Sequence, residues 1–326
     1  MGLSAFYASA RNTTDEQAIA VFHKAVAEGV TLFNTATFYG PLNVQGFGAN
    51  LRLIKKCLVG IDRSKIQLMV KIGMDTKADM DKTGTQWIMR GSAEALQADV
   101  DYALQELGVD YIDIIVLCRV PTDVTIEVAV ENMKAIVASG KARHIGLSEA
   151  SANTLRRAQK VCPIYCIEQE WSLWTRDIEQ EIVPVCREHG IKIVAYSPLG
   201  RGFLTGVIRS REELSKDPYD YRLMGQPRFA EENFSKNLSL VDGLKSLADK
   251  KGCTVGQLSL AWLHSQGEDV IPIPGTSQVN HLLDNLSAQK IEITEEDKKF
   301  IDVIFTQDAA VGTRYPHMQM TFHGNL

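Results

Sequence analysis

The sequence predicts an α/β fold, a (β/α)8 barrel of parallel strands, on three observations. Short apolar segments alternate with helical segments along almost the whole chain, and this alternation is typical of a parallel sheet. The strand segments are continuously apolar, as expected for parallel strands that are covered on both faces. No G-x-G-x-x-G sequence follows the first strand segment, which argues against the alternative, an open doubly wound sheet.

Seven strand segments make up the predicted sheet, one fewer than a closed barrel of this type has. They begin at Val30, Ile66, Ile112, His144, Tyr165, Lys192 and Val270. A missing strand would have to precede Thr31, where only residues 1–7 lie ahead of the first helix. The sequence therefore predicts a barrel that lacks its first strand, with unpaired edges at the strands near Thr31 and Val270.

The first helix is predicted to begin at a capping box formed by Thr14 and Gln17 and to end at Gly29. Further helices are predicted at 50–58, 92–107, 125–139, from Ser151, and at 177–189, 238–251, 254–266, 279–286 and 295–304. The chain is predicted to be one domain, 1–326, with an irregular insert at 201–233 over the barrel mouth and a polar tail at 305–326.

Composition excludes several classes of protein. The 326 residues carry a net charge of -5 without a basic patch, so nucleic acid is not expected as a partner. No apolar run approaches the roughly 20 residues of a membrane span, and no signal peptide is evident, which predicts a cytoplasmic protein. The six cysteines are scattered and predict reduced thiols. Cys162 and Cys166 are close in sequence, but no second pair or nearby histidine completes a metal site.

Tyr39 and Lys71 are the first candidates for catalysis, because they lie at the carboxyl ends of neighbouring predicted strands, where barrel active sites form. An ammonium group about 4–6 Å from a phenol lowers the pKa of the phenol. Tyr39 would then be a general acid near neutral pH. The alternative interpretation is an ordinary loop tyrosine and a lysine at the surface.

Polar residues at other strand ends converge on the same mouth. They are Ser148, Glu149, Glu168, Gln169 and Tyr196. Tyr196 could stack on a flat ring, or it could be a packed tyrosine with a satisfied hydroxyl. Residues 275–277 precede the helix predicted from Val279 and could bind a phosphate with its free amides. The alternative there is simple capping of the helix by Ser277.

Several stretches together resemble the aldo-keto reductase superfamily, most closely its plant and fungal perakine reductase-like members. They are T-L-F-N-T-A-T-F-Y-G, L-G-V-D-Y-I-D-I, S-G-K-A-R-H-I-G-L-S-E-A-S, E-W-S-L-W-T-R-D, V-A-Y-S-P-L-G-R-G-F-L-T-G, P-R-F and V-I-P-I-P-G-T-S. The resemblance implies a (β/α)8 barrel that binds NADPH without a doubly wound domain. It also implies the reduction of a small aldehyde or ketone by hydride transfer, with a role in secondary metabolism suggested by those relatives.

The resemblance assigns roles to individual residues. Tyr39 matches the family's proton donor, Lys71 its partner, and Ser148 a residue that holds the nicotinamide carboxamide. Tyr196 matches the ring that stacks on nicotinamide. The remaining cofactor positions are Ser197, Leu199 and Gly202 at the pyrophosphate, Gly275, Thr276 and Ser277 at the adenosine phosphate, and Asn285 at the adenine end.

Four positions depart from the family pattern. Asn34 stands where the family has Asp, Cys118 where it has His, and Glu168 where it has the Gln that contacts the carboxamide. Asn34 can still form a hydrogen bond with Lys71 but cannot balance its charge. Gln169 is one residue further along than Glu168 and should face the other way. The changes at Asn34 and Cys118 predict weakened or altered activity, and they leave open a non-enzymatic nucleotide-binding sensor or scaffold. Gln278 replaces a basic residue beside the extra phosphate of NADPH, so NADH becomes a possible cofactor. The N-terminal hairpin of the family also has no counterpart in the sequence.

Overall fold

The computed structural model describes residues 1, 13–40, 46–75, 88–214, 220, 222–223, 226–316, 318 and 321–325. Its strands are β1 (Leu32–Ala36), β2 (Gln67–Ile72), β3 (Met74–Asp75), β4 (Ile88–Met89), β5 (Ile112–Leu117), β6 (Ala142–Ser148), β7 (Cys166–Glu170), β8 (Lys192–Tyr196) and β9 (Val270–Pro272). Seven of them form one parallel sheet in the order β1-β2-β5-β6-β7-β8-β9, while β3 and β4 pair with each other in antiparallel fashion. All seven predicted strands are therefore present.

The helices of the described residues mostly separate consecutive strands of the sheet. They are α1 (Asp15–Ala27), α2 (Ala49–Cys57), α3 (Ala93–Leu107), α4 (Ile126–Ala138), α5 (Ala152–Val161), α6 (Ile182–His189), α7 (Glu231–Gly243), α8 (Lys245–Lys251), α9 (Val255–His264), α10 (Val279–Ser287) and α11 (Glu295–Ile304). The capping box of Thr14 and Gln17 is confirmed at the start of α1, and Ser151 caps α5 as predicted.

The sheet is curled rather than flat. Strands β1 and β7 are four positions apart in the sheet order, which would separate them by about 19 Å in a flat sheet at the usual strand spacing. Instead, the side chains of Asn34 on β1 and Glu168 on β7 are joined by a 2.8 Å hydrogen bond. The inward-facing side chains of opposite strands therefore meet, as the barrel prediction requires.

The curled sheet encloses a small inner core below its carboxyl-terminal edge. This inner core consists of Met69, Ile114, Val116, Cys166, Val194 and Ile273, all of them buried. A much larger apolar cluster lies between the outer face of the sheet and the helices. Because the inner core fills the interior, polar chemistry is confined to the end of the barrel where the strands finish.

The strands β1 and β9 lie at the two ends of the sheet order in the part of the chain that the structure describes. The backbone of Met1 pairs with β1: its nitrogen donates to the Leu32 carbonyl at 2.7 Å, and its carbonyl accepts from Asn34 at 2.8 Å. Residues 2–12 lie outside the described residues. Met1 therefore occupies one position of a strand beside β1, and no described strand joins β1 to β9.

Two predictions about irregular segments need correction. Helix α7 begins at Glu231, inside the insert that was predicted to be irregular through 233, because Phe234, Asn237 and Val241 bury one face of it. The tail is not merely polar, since Arg314 and Phe322 are buried against the barrel. Residues 215–219, 221 and 224–225 of the insert lie outside the described part.

Candidate active site

Three buried side chains from three different strands form a hydrogen-bonded cluster inside the barrel mouth. They are Asn34 on β1, Lys71 on β2 and Glu168 on β7, each with no more than 5% of its surface exposed. The Lys71 ammonium donates to the Asn34 amide oxygen at 2.5 Å and to the two Glu168 oxygens at 2.9 and 3.2 Å. The Asn34 amide group donates to Glu168 at 2.8 Å. The prediction that Asn34 still bonds Lys71 is confirmed.

Tyr39 lies beside this cluster, with the Lys71 ammonium 4.9 Å from the centre of its ring. The predicted pairing of Tyr39 and Lys71 is therefore present. The predicted direction of the pKa change is wrong, however. Burial raises the pKa of Tyr39 to about 12, and the Glu168 carboxylate adds to the rise, so that the opposing effect of Lys71 is outweighed. Tyr39 is thus a protonated donor throughout the neutral range.

Lys71 stays charged in its buried position. Burial alone would lower the pKa of Lys71, but the carboxylate of Glu168, together with Tyr39 and Cys118, outweighs burial and raises it above its ordinary value. A buried ammonium needs such a partner, because removing a charge from water without compensation is costly. The cluster therefore presents one fixed positive charge to the Tyr39 phenol.

The register of β7 separates two neighbouring side chains. Glu168 faces the barrel interior, whereas Gln169 points away and donates to the Ala150 carbonyl at 3.0 Å. This confirms the expectation that Gln169 faces the opposite side, since side chains alternate along a strand. The predicted contact of Glu168 with a cofactor carboxamide stays a prediction.

Cys118 lies at the end of β5 and is packed among Ala36, Phe38 and Met74. Burial raises the pKa of its thiol, so it remains a neutral and weak donor. Its neighbour Arg119 was not predicted as a site residue. The Arg119 guanidinium donates to the Cys118 carbonyl at 2.7 Å and to the Ser148 hydroxyl at 3.4 Å. The sequence signal that could have identified Arg119 is its position just after the end of a predicted strand.

A second cluster is built around Glu149, which is fully buried and has a positive φ of 52°. Tyr196 donates its hydroxyl hydrogen to Glu149 at 2.7 Å. Arg314 donates to both carboxylate oxygens, at 3.0 and 3.1 Å, and Tyr315 lies 3.1 Å from the Tyr196 hydroxyl. The hydroxyl of Tyr196 is therefore satisfied. Arg314 was missed because the sequence places it 165 residues from Glu149.

The segments assigned to the cofactor phosphates lie after β8 and before α10. Ser197, Arg201 and Gly202 have positive φ angles of 50°, 57° and 93°, so the loop is tightly turned. A small cavity borders it, and its charged lining residues are Arg201, Arg228, Arg314 and Glu170. Positive charge therefore exceeds negative charge in this lining.

The alternative for the second segment, capping of α10 by Ser277, is not observed. The N-cap residue is Gln278, and its side chain makes no capping hydrogen bond. Thr276 instead accepts from the Gln278 amide at 3.1 Å. Gly275 and Gln278 are exposed, while Thr276, Ser277 and Asn285 are partly buried. The first turn of α10 therefore keeps its amides without a side-chain cap.

The six cysteines are free thiols. The described residues contain no helix long and apolar enough to cross a membrane.

The fold is a parallel α/β barrel with a Tyr39–Lys71 pair at its mouth, and comparison with known families identifies the family of barrels to which it belongs. The aldo/keto reductase family model matches residues 1–305, and the chain belongs to this family. Its members are oxidoreductases that use nicotinamide cofactors and act on small carbonyl compounds. The placement nearest the perakine reductase-like members stays a prediction.

Relatives and solved structures agree with this family and fold. The chain is 40% identical over 316 residues to a protein of Glycine max described as probable aldo-keto reductase 1, covering 97% of this chain and 86% of that protein. A glycerol dehydrogenase from Gluconobacter oxydans has a TM-score of 0.77 at 26% identity, covering 90% and 87% of the two chains. A thermostable aldo-keto reductase in complex with the inhibitor epalrestat has a TM-score of 0.70 at 23% identity, covering 93% of each chain. The (β/α)8 prediction is confirmed.

Proposed function

We propose that the protein reduces an aldehyde or ketone to an alcohol with NADPH. The observation that carries the proposal is the Tyr39–Lys71 pair at the ends of β1 and β2. Lys71 is held in place by Asn34 and Glu168, so the phenol faces a charge of fixed position. Nothing in the comparisons supports the alternative of a non-enzymatic sensor or scaffold.

The residues present fit a dinucleotide that carries a pyrophosphate and a further phosphate at its adenosine end. Oriented amides at a helix N-terminus favour anions, and α10 begins without a side-chain cap. The cavity beside the 197–202 loop has more arginines than acids in its lining, which suits a pyrophosphate. When bound, the nicotinamide supplies a hydride to the carbonyl carbon. We assign Ser148 to the carboxamide and the face of Tyr196 to the ring, with the adenosine end along residues 275–278 and Asn285.

The chain's own chemistry is proton donation to the carbonyl oxygen. Tyr39 gives up its hydroxyl proton as negative charge develops on that oxygen. The ammonium of Lys71 stabilises the phenolate left behind. Cys118 contributes little to orienting the carbonyl, because a thiol is a weak donor. Arg119 offers a guanidinium at the same strand end and can take part in that orientation.

Turnover is tested by following the loss of NADPH absorbance with a panel of aldehydes and ketones. We expect oxidation that depends on the carbonyl compound and on Tyr39. Tight binding of NADPH without oxidation by any substrate in the panel would contradict the proposal.

Residues 201–233 are proposed to select the substrate, since Arg201 and Arg228 reach Glu170 at the end of β7. We also propose a cytoplasmic, single-domain protein that acts in secondary metabolism.

Gln278→Lys should strengthen the cofactor preference for NADPH over NADH. The exposed Gln278 immediately precedes α10, and a charge-assisted hydrogen bond to the extra phosphate is worth about 1.5–3 kcal/mol. The ratio of kcat/KM for NADPH to that for NADH should therefore rise by about tenfold or more. Gln289→Lys is the matched control. Gln289 is exposed and lies beyond the end of α10, and its replacement by lysine adds the same charge at a different place. An equal rise of this ratio in both variants would mean that the added net charge, and not a contact at position 278, changes the cofactor preference.

A further inference from the structure

Lys71 is neutralised by a carboxylate from the far side of the barrel. The side chains of Lys71 and Glu168 are each only 4% exposed, and the ammonium lies 2.9 and 3.2 Å from the two oxygens of Glu168. A buried ion pair of this kind is stable only while both partners are charged, because either charge alone is strongly penalised. Glu168 is thus what permits a charged lysine beside Tyr39.

Asn34 connects the two charges, and the chemistry of its neighbours fixes its orientation. An ammonium can only donate and an ionised carboxylate can only accept. The amide oxygen of Asn34 therefore faces Lys71 and its nitrogen faces Glu168, as the 2.5 and 2.8 Å contacts show. A carboxylate at position 34 could not make the second of these bonds.

We propose that Glu168 is the positioning carboxylate of the Tyr39–Lys71 pair, and that Asn34 and Glu168 have exchanged the carboxylate and amide roles between β1 and β7. The inference deepens the proposed function and rests on it. The family resemblance gives Asp at position 34 and Gln at position 168. In this chain the amide is on β1 and the carboxylate on β7, and the cluster still contains one lysine, one carboxylate and one amide. The two departures compensate each other, and Asn34 by itself does not impair the site.

The exchange makes a specific prediction about three variants. Glu168→Gln removes the carboxylate, and kcat should fall by about 10²–10⁴-fold, the usual contribution of acid–base machinery. Asn34→Asp alone should not raise kcat, because two carboxylates within about 3 Å share one proton instead of both ionising. The double variant Asn34→Asp/Glu168→Gln restores one carboxylate and one amide, and should recover kcat to within about tenfold of the wild type.

The same variants can be followed without turnover through the ionisation of Tyr39. The Glu168 carboxylate raises the pKa of Tyr39 in the folded protein. Glu168→Gln removes both this carboxylate and the partner that keeps Lys71 charged, so the pH at which the phenolate absorbance of Tyr39 develops should shift, and in the double variant it should return towards the wild-type position. Each titration is taken as the difference from the same protein carrying Tyr39→Phe, which removes the signal of the other tyrosines. A purely structural role of Glu168 would not produce this reversal.

Several other titratable groups lie near Glu168, so the control substitution must lie away from all of them. They are Lys71, Tyr39, Cys118, Cys166 and the amino group of Met1. Glu127→Gln is the matched acid-to-amide control, since Glu127 pairs with Arg157 at the surface, and it should leave both kcat and the Tyr39 titration unchanged. Circular dichroism and NADPH binding show that each variant is folded.

Two results would overturn the exchange. One is a Glu168→Gln variant with wild-type kcat and a wild-type Tyr39 titration. The other is a double variant that is no more active than Glu168→Gln and titrates like it. Absence of turnover in the wild type would instead contradict the proposed function, and the Tyr39 titration would still decide the role of Glu168.

Discussion

Replacing Tyr39 with Phe should reduce kcat for carbonyl reduction by about 10²–10⁴-fold, the usual contribution of a general acid. The substitution keeps the ring that lies 4.9 Å from Lys71 and removes only the hydroxyl group, which carries the proton to be donated. Binding of NADPH should change little, which fluorescence titration can check. Tyr165→Phe is the matched control, because Tyr165 is exposed and stacks on His144 away from the mouth.

The pH dependence of the wild type provides a second test of Tyr39. Tyr39 acts as a donor only while it is protonated, and burial raises its pKa to about 12. Its contribution to kcat/KM should therefore be constant through neutral pH and be lost only as the pH approaches about 12. Because kcat/KM reports on the free enzyme, a loss of activity near neutral pH that disappears in Tyr39→Phe would contradict this account.

Replacing Arg314 with Ala should lower the free energy of unfolding by about 3–5 kcal/mol, the usual cost of breaking a buried ion pair from one side. Arg314 and Glu149 have side-chain exposures of 2% and 0%, so the variant would lose both hydrogen bonds from Arg314 to a carboxylate that is buried away from water. Urea unfolding followed by circular dichroism measures the difference. Arg209→Ala is the control: Arg209 binds Asp242 in the same two-pronged way but with both side chains about half exposed, and it should cost at most about 1 kcal/mol.

The effect of Arg314→Ala should also depend on pH. Burial would raise the pKa of Glu149, but Arg314 and Arg119 hold it below its ordinary value. In the wild type, this ion pair therefore stabilises the fold above the unfolded pKa of about 4.3, and the stabilisation is lost as the pH falls through the folded pKa. In the variant, Arg314 no longer opposes the effect of burial on Glu149, so the ionised form of Glu149 is penalised in the folded protein. The difference between the two proteins should therefore shrink in acid, and a difference independent of pH would argue against this role of the pair.

The barrel and the positions of several site residues could be predicted from local sequence. Apolar runs located all seven parallel strands, and the alternation along β7 predicted that Glu168 and Gln169 would face opposite ways. The pKa of Tyr39 could not be predicted, because it depends on burial and on Glu168, which lies on a distant strand. For the same reason the contact between Arg314 and Glu149 left no local signal. Helix α7 begins at 231 because its buried face is fixed by packing rather than by a capping residue.

The cluster of Asn34, Lys71 and Glu168 also affects how the barrel opens locally. Strand β1 lies at one end of the described sheet order, and strands at an edge usually exchange their amide hydrogens through openings that cost less than global unfolding. The hydrogen bond from Asn34 to Glu168 ties this strand to β7 on the opposite wall. Amide exchange in β1 should therefore be slower than its place in the sheet suggests. It should accelerate selectively when Glu168 can no longer accept from Asn34, so that protection of β1 reports directly on whether the cluster is assembled.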